Sequence, residues 1–432
     1  MADTGPAPGT GSDSAESPIV PGPAAGRALG STGAVGSSRL AWAEVDLDAI
    51  ATNCAVLAGL ARPAALCAVV KANAYGHGAV PAARAALAGG ATWLAVALVE
   101  EGIALREAGI EAPVLLLSEP LAEVMEAAAA SRLTPTIYTA GGIKAARKAT
   151  ASVAGGGPFR VHVKVDTGMH RVGADPDSVI EVAAAVDAAA ELHLEGLWTH
   201  LAVADDPDRD DFTAEQLRRF EQVRHRLAAA GIEPEILHAA NSSALLAHPS
   251  AHNQMVRCGL TVYGYPPSAA LADRVELRPA MSLKAGVSFV RRLSAGERVS
   301  YGLQYGLPVD SVIATVPLGY SDGVPRRFSA MGGQVLIGGR RLPIAGRVTM
   351  DQLLVDCGPG SEVAPGDEVV LLGRQGDEQI DATEWADRLG TVPYEILCGV
   401  SARVARHYVG TGAVADSAST GGKYDQIRAH PR

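Results

Sequence analysis

Between residues 65 and 260 short apolar runs recur along the chain, and alanine-rich, helix-compatible stretches fill the gaps between them. The runs extend from Leu66 to Lys71, Trp93 to Leu98, Val114 to Ser118, Thr134 to Thr139, Phe159 to Asp166, Leu194 to His200, Ile236 to Asn241 and Met255 to Leu260. A strand that is apolar along its whole length is buried on both faces, as in a parallel sheet flanked by helices, whereas a strand with one wet face alternates. Eight such strand–helix units predict a (β/α)8 barrel, with an open doubly wound sheet as the alternative. Beyond about Pro279 the texture changes. Runs such as Val287 to Leu293, Ser311 to Pro317, Gln334 to Ile337 and Glu368 to Leu372 are β-rich, several are separated by Gly-Gly or Asp-Gly turns, and long helices are scarce. The expected fold class is therefore α/β: a (β/α)8 TIM-like barrel over 39–279, then a mostly β domain over 280–410. Residues 1–38 and 411–432 are dominated by small residues and hold too little apolar surface to offset the entropy of ordering, so both are expected to be disordered tails.

Composition narrows the function classes. The 432-residue chain carries a formal net charge of -10 and no basic run, which argues against a nucleic-acid or anionic-membrane partner and favours a small-molecule substrate. No apolar run approaches the ~20 residues of a membrane span, and the N-terminus has no basic and apolar segments of a secretory signal, so a cytoplasmic protein is expected. Cys54, Cys67, Cys258, Cys357 and Cys398 are scattered without a Cys-x-x-Cys pair; they predict neither disulfides nor a metal site and read as ordinary buried thiols.

In a (β/α)8 barrel the functional groups sit at the C-terminal ends of the strands, so the residues that close the apolar runs come first. The first run ends in Lys71, one of only six lysines in the chain. At the mouth of a low-dielectric barrel its neutral amine is favoured, which makes it a Schiff-base candidate, although a lysine snorkelling from a strand end has the same spacing. The seventh and eighth runs lead into H-A-A-N-S-S and M-V-R-C-G-L, where Ser242 and the amides of Gly259 and Leu260 are candidate phosphate donors or simply a turn of small residues. Arg257 lies inside an apolar run and needs a buried acceptor, either a carboxylate or a pyridine nitrogen.

The motifs A-V-V-K-A-N-A-Y-G-H-G, K-V-D-T-G-M-H-R, W-T-H, H-A-A-N-S, M-V-R-C-G-L-T-V-Y-G, V-S-Y-G, L-G-Y-S-D-G and G-R-V-T-M-D-Q follow in this order. Over roughly residues 40 to 410 the chain thereby resembles the alanine racemases. The resemblance implies an isomerase that interconverts L- and D-alanine for cell-wall peptidoglycan, with pyridoxal 5′-phosphate as cofactor. It further implies a homodimer with composite active sites. Lys71 would carry the cofactor as a Schiff base, Tyr75, Ser242, Gly259 and Leu260 would hold its phosphate, and Arg257, bonded by His200, would face the pyridine nitrogen. Tyr301 would be the second catalytic base, and Arg171, Tyr320, Met350 and Asp351 would line the substrate pocket. Tyr301 and its neighbours would enter the barrel mouth of the opposite subunit. Lys164 would be carbamylated and orient Arg171 toward the cofactor, unless it is a plain lysine paired with Asp166.

The chain departs from the family pattern near its end, where many members read S-Y-R-V-P-R and this one has Ser401, Ala402, Arg403, Val404, Ala405 and Arg406. The missing phenol makes serine a second candidate substrate. His170 stands where a small glycine is frequent. Two competing functions remain, a non-catalytic pyridoxal-phosphate carrier and an amino-acid decarboxylase. The former lacks a second domain with the V-S-Y-G tyrosine, and the latter supplies a cysteine and an acidic residue that no motif here provides.

Overall fold

The computed structural model describes residues 39–152 and 157–412; nearly all of the two expected tails lies outside them. The first strand, β1 (Ala41–Asp46), is followed by a helix over Leu47–Ala61 whose N-terminus is capped by Asp46. Eight strands then alternate with helices: β2 (Ala65–Val69), β3 (Trp93–Val96), β4 (Val114–Leu116), β5 (Thr136–Ile137), β6 (Phe159–Lys164), β7 (Leu192–Trp198), β8 (Ile236–His238) and β9 (Met255–Cys258). They form two parallel four-stranded segments, β4-β3-β2-β9 and β5-β6-β7-β8. Backbone hydrogen bonds close both seams: Leu116 donates to Thr134 at 2.8 Å, and Arg257 donates to Ala240 at 3.0 Å. The eight apolar runs are thus the eight strands of a closed barrel. The flanking helices bury one stripe each. Over Asp210–Ala229 the buried positions are Thr213, Gln216, Phe220, Val223 and Leu227, the three- and four-residue steps of one helix face.

The second part of the chain is mostly strand: β10 (Met281–Gly286), β11 (Phe289–Leu293), β12 (Arg298–Val299), β13 (Tyr305–Gly306), β14 (Ser311–Val316), β15 (Gln334–Ile337), β16 (Arg340–Pro343), β17 (Leu353–Asp356), β18 (Glu368–Gln375), β19 (Glu378–Ile380) and β20 (Ala405–Val409). One sheet runs in the order β16-β15-β18-β10-β1-β20, with β19 on β18, and a smaller sheet is β11-β14-β17. It has its own core, in which Phe328 and Trp385 pack with ring centroids 4.2 Å apart.

Two differences from the sequence reading concern the ends. β1, counted there with the barrel, pairs antiparallel with β10 and parallel with β20 in the second sheet. Its sequence explains this: Ala41, Ala43 and Val45 are buried and alternate with half-buried Trp42, Glu44 and Asp46, the signature of a strand with one covered face. At the other end the chain is still docked at Thr411 and Gly412, whose amides donate to Asp48 at 2.9 and 2.8 Å, although the tail was expected to begin at 411. Among the described residues no helix is long and apolar enough to cross a membrane.

Candidate active site

Because the eight strands are parallel, their C-terminal ends converge on one rim, and a cleft of about 640 Å³ opens there. Lys71, Tyr75, Lys164, Arg171, His200, Ser242, Arg257 and Gly259 all line it. Residues far apart in sequence are thereby brought to one wall-lined space of the size that holds a small ligand.

Lys71 opens a single helical turn over Lys71–Tyr75 that is left-handed. Ala72, Asn73, Ala74 and Tyr75 have φ of 52°, 53°, 55° and 51°. For residues with a Cβ this hand costs roughly 1–2 kcal/mol each. The surroundings compensate for it. Glu101 accepts from the Ala72 amide at 2.6 Å, Asn73 accepts from the Ala79 amide at 2.8 Å, and the buried His77 ring meets the carbonyl of Ala74 at 2.9 Å. Arg406 of β20 donates to the Gly76 carbonyl at 3.0 Å, and a Cβ on Gly76 would lie 2.6 Å from the Leu397 carbonyl oxygen. The second domain therefore clamps the turn that aims Lys71 and Tyr75. Burial, and then the nearby Arg171, lower the affinity of the Lys71 amine for a proton, with Glu101 opposing.

At the phosphate end of the sequence pattern the Gly259 amide donates to Ser242 Oγ at 3.0 Å, and Ser242 Oγ meets Thr261 Oγ1 at 2.9 Å. A Cβ on Gly259 would come within 2.5 Å of the Tyr75 hydroxyl, so glycine leaves room for a group cradled between Tyr75, Ser242 and the backbone. The Leu260 side chain faces away, into the second core, so only its backbone is available to the cradle. Hydroxyls and amides around a small hollow beside the half-buried Lys71 fit an anionic phosphate and a carbonyl-bearing cofactor.

Arg257 is buried, and its burden is met without a carboxylate. It donates to Thr199 and Ala239 carbonyls at 2.8 and 3.1 Å, to His238 Nδ1 at 2.9 Å and to His200 Nδ1 at 3.3 Å. The contact expected between His200 and Arg257 is present. Burial and the adjacent Arg257 and Lys164 hold His200 well below the usual imidazole range. Lys164 sits over the Trp198 ring, 4.5 Å from its centroid, and its ammonium is pulled down to about 7 by burial and by Arg257 and Arg171. Asp166 does not pair with it; that carboxylate accepts from the amides of Gly168 and His170 at 2.9 and 3.0 Å and faces the His170 ring at 3.3 Å.

Tyr301, Tyr320, Met350 and Asp351 do not join this cleft in the single chain. Tyr301 and Met350 are 72% and 53% exposed on the second domain. There the Tyr320 amide donates to Thr349 at 2.9 Å, Ser300 Oγ holds the 347 backbone at 2.9 Å, and Arg403 pairs with Asp351 at 2.8 Å. These contacts tie the turns that carry the four residues to one another.

Among the cleft residues that the sequence reading does not single out, two carry titratable groups from the second domain. Tyr394 and Cys398 come from the second domain, one helical turn apart on the helix Pro393–Gly399, and both line the cleft. Cys398 was read as a buried thiol; it is exposed, while the other four cysteines are buried. Their i, i+4 spacing is legible in P-Y-E-I-L-C-G, but nothing local says that this face turns toward the barrel.

Residues 45–267 match the family model described as alanine racemase, N-terminal domain, and residues 280–408 match alanine racemase, C-terminal domain. The alanine racemase of Symbiobacterium thermophilum is 46% identical over 375 residues, 87% of this chain and 98% of that protein. The crystal structure of alanine racemase from Bacillus anthracis with bound L-Ala-P superposes with a TM-score of 0.80 at 38% identity, covering 88% of this chain and 97% of that one. The histidine racemase from Leuconostoc mesenteroides subsp. sake superposes equally well, at 0.80, with 31% identity over 86% of this chain and 99% of its own. With both domain models matched in order and most of its length aligned to such relatives, the chain belongs to the alanine racemase family.

Proposed function

We propose that this chain interconverts L- and D-alanine, with pyridoxal 5′-phosphate held in the cleft around Lys71 and two copies of the chain completing each other's sites. The observation that carries this reading is the placement of Lys71, its amine easier to deprotonate than usual, beside the Tyr75, Ser242 and Gly259 cradle. When bound, the cofactor supplies an electron sink for the pair left as the α-hydrogen departs. Tyr75, Ser242 and the amides of Gly259 and Leu260 would hold its phosphate, and Arg257 would face its ring nitrogen. A guanidinium gives up its proton reluctantly, so Arg257 would leave the ring nitrogen unprotonated and thereby restrain side reactions.

Racemisation needs a proton taken from one face of Cα and returned to the other, hence two acid/base groups. Lys71 serves one face and the partner subunit's Tyr301 the other. The exposure of Tyr301 on a surface that also carries Tyr320, Met350 and Asp351 supports this division. Arg171 orients the substrate, and Lys164 as its carbamate turns two neighbouring cations into an ion pair. An amine lowered to about 7 is available in the neutral form that reacts with carbon dioxide. The product serves cell-wall peptidoglycan in the cytoplasm.

Serine is the second reading. Ala402 stands where a phenol is frequent in the family, and the likeness to a histidine racemase of the same fold supports a pocket whose selectivity varies.

The test is isotopic. The loaded enzyme is incubated with each alanine enantiomer, and with L-serine, in deuterated water while the α-proton signal and the chirality are followed. Wild type should form D-alanine, and Tyr301→Phe should lose exchange from L-alanine on the order of 10²- to 10⁴-fold more than from D-alanine. Equal slowing for both enantiomers withdraws the two-base assignment, and no D-alanine from wild type overturns the function.

A further inference from the structure

The barrel interior below the cleft is not apolar. On β6 the alternate positions Arg160, His162 and Lys164 share one side of the strand, and across from them lie Glu195 on β7, His238 on β8 and Arg257 on β9. His162, Glu195, His238 and Arg257 are each at most 3% exposed. They are linked in series: Arg257 Nη1 to His238 Nδ1 at 2.9 Å, His238 Nε2 to His162 Nδ1 at 2.8 Å, His162 Nε2 to Glu195 Oε2 at 3.4 Å, and Glu195 Oε1 to Arg160 Nη1 at 2.6 Å. The last imidazole step is a close approach and not a formed hydrogen bond: His162 Nε2 and Glu195 Oε2 face each other at 3.4 Å, and neither has a hydrogen-bond partner among the described residues. Trp198 stacks on His238 at 5.5 Å and 9°, and Trp93 lies 5.5 Å from His162, so both imidazoles are fixed in plane.

The direction of this chain is dictated at its Arg257 end. A guanidinium has donors only, so His238 Nδ1 must accept and its proton must sit on Nε2. That proton points to His162 Nδ1, which must in turn accept, leaving the His162 proton on Nε2, toward Glu195. A charged imidazole at either place would set two donors face to face and break the series. Both histidines are therefore held neutral in the same tautomer, in keeping with the lowering of both by burial. Burial pushes the Glu195 carboxyl up, but the nearby His162 and the bond from Arg160 outweigh it and hold it below the usual carboxylate range. Arg257, whose contacts include no carboxylate, is joined through this series to the Glu195 carboxylate two imidazoles away, which also pairs with Arg160 at 2.6 Å.

We propose that Glu195, His162 and His238 are positioning residues, a one-way relay that supplies the counter-charge of Arg257 and sets how strongly its guanidinium donates into the cleft. The consequence for the cofactor rests on the proposed function: a charge-compensated Arg257 is a weaker donor to the ring nitrogen, and loss of the Glu195 charge makes it a stronger one.

Two measurements test this. In the wild-type protein labelled with ¹⁵N-histidine, His162 and His238 should both be neutral and protonated at Nε2 near pH 7. An Nδ1-protonated or doubly protonated ring at either position overturns the relay, and this needs neither a variant nor a cofactor. In the holoenzyme carrying ¹⁵N-labelled pyridoxal phosphate, Glu195→Gln should move the ring-nitrogen resonance toward the pyridinium side relative to wild type. A folded, loaded Glu195→Gln with an unchanged resonance also overturns it. If the wild-type protein takes up no pyridoxal phosphate, the proposed function fails while the histidine tautomers still decide the relay.

Discussion

Gly259 and Tyr75 approach so closely that a Cβ on the glycine would stand 2.5 Å from the phenolic oxygen. The contact joins the loop after β9 to the left-handed turn after β2, the two segments proposed to hold the cofactor phosphate from opposite sides. Overfilling a tight site typically costs about 1–3 kcal/mol, which corresponds to roughly five- to 150-fold in affinity. Gly259→Ala should therefore weaken retention of pyridoxal phosphate by that factor, measured by equilibrium titration of the apoprotein. Unchanged affinity would show that the cradle lies elsewhere.

Borohydride treatment of the loaded protein should fix the cofactor to Lys71, located by peptide mass mapping. The competitor within the same cleft is Lys164, whose amine is also lowered, to about 7. Label on Lys164, or on Lys284, which is paired with Glu44 at 3.0 Å in the second sheet, would reject the assignment.

If Tyr301 acts in the barrel of the other subunit, Lys71→Ala and Tyr301→Phe are each inactive alone yet complementary. Mixed under conditions that exchange subunits, they should recover a part of the wild-type activity, because one of the two sites in a mixed dimer has both bases intact. No recovery despite exchange proven by native mass spectrometry would place the tyrosine in the same chain as its lysine.

Lys164 also leaves a signature in stability. Its folded-state affinity for a proton is lowered to about 7 from an ordinary 10.5, so between these values the unfolded chain binds one proton more than the folded one. Stability should then rise with pH across that window, at about 1.4 kcal/mol per pH unit for one proton, and Lys164→Met should lose that increment of slope. Urea unfolding at pH 7, 8 and 9 in bicarbonate-depleted buffer measures it, since a carbamate would hold the site in a different charge state. Parallel slopes for the two proteins would mean that the buried amine is not perturbed.

The sequence by itself determined the barrel, because eight fully apolar runs separated by helix-compatible gaps leave few other ways to bury both faces of every strand. It also determined that Lys71, Ser242, Arg257 and Gly259 gather, since groups at the C-terminal ends of parallel strands share one rim. What it could not decide were relationships set by long-range packing. The alternation of β1 is visible in A-W-A-E-V-D, yet its pairing with β10 and β20, more than 230 residues away, depends on which sheet offers a free edge. Tyr394 and Cys398 enter the cleft only because the second domain docks one helix face against the barrel mouth, and the same docking lets Arg406 clamp the left-handed turn at Gly76. His162, Glu195 and His238 look like isolated polar residues in three separate strands; only barrel closure sets them in line behind Arg257, where burial removes the water that would otherwise satisfy each one alone.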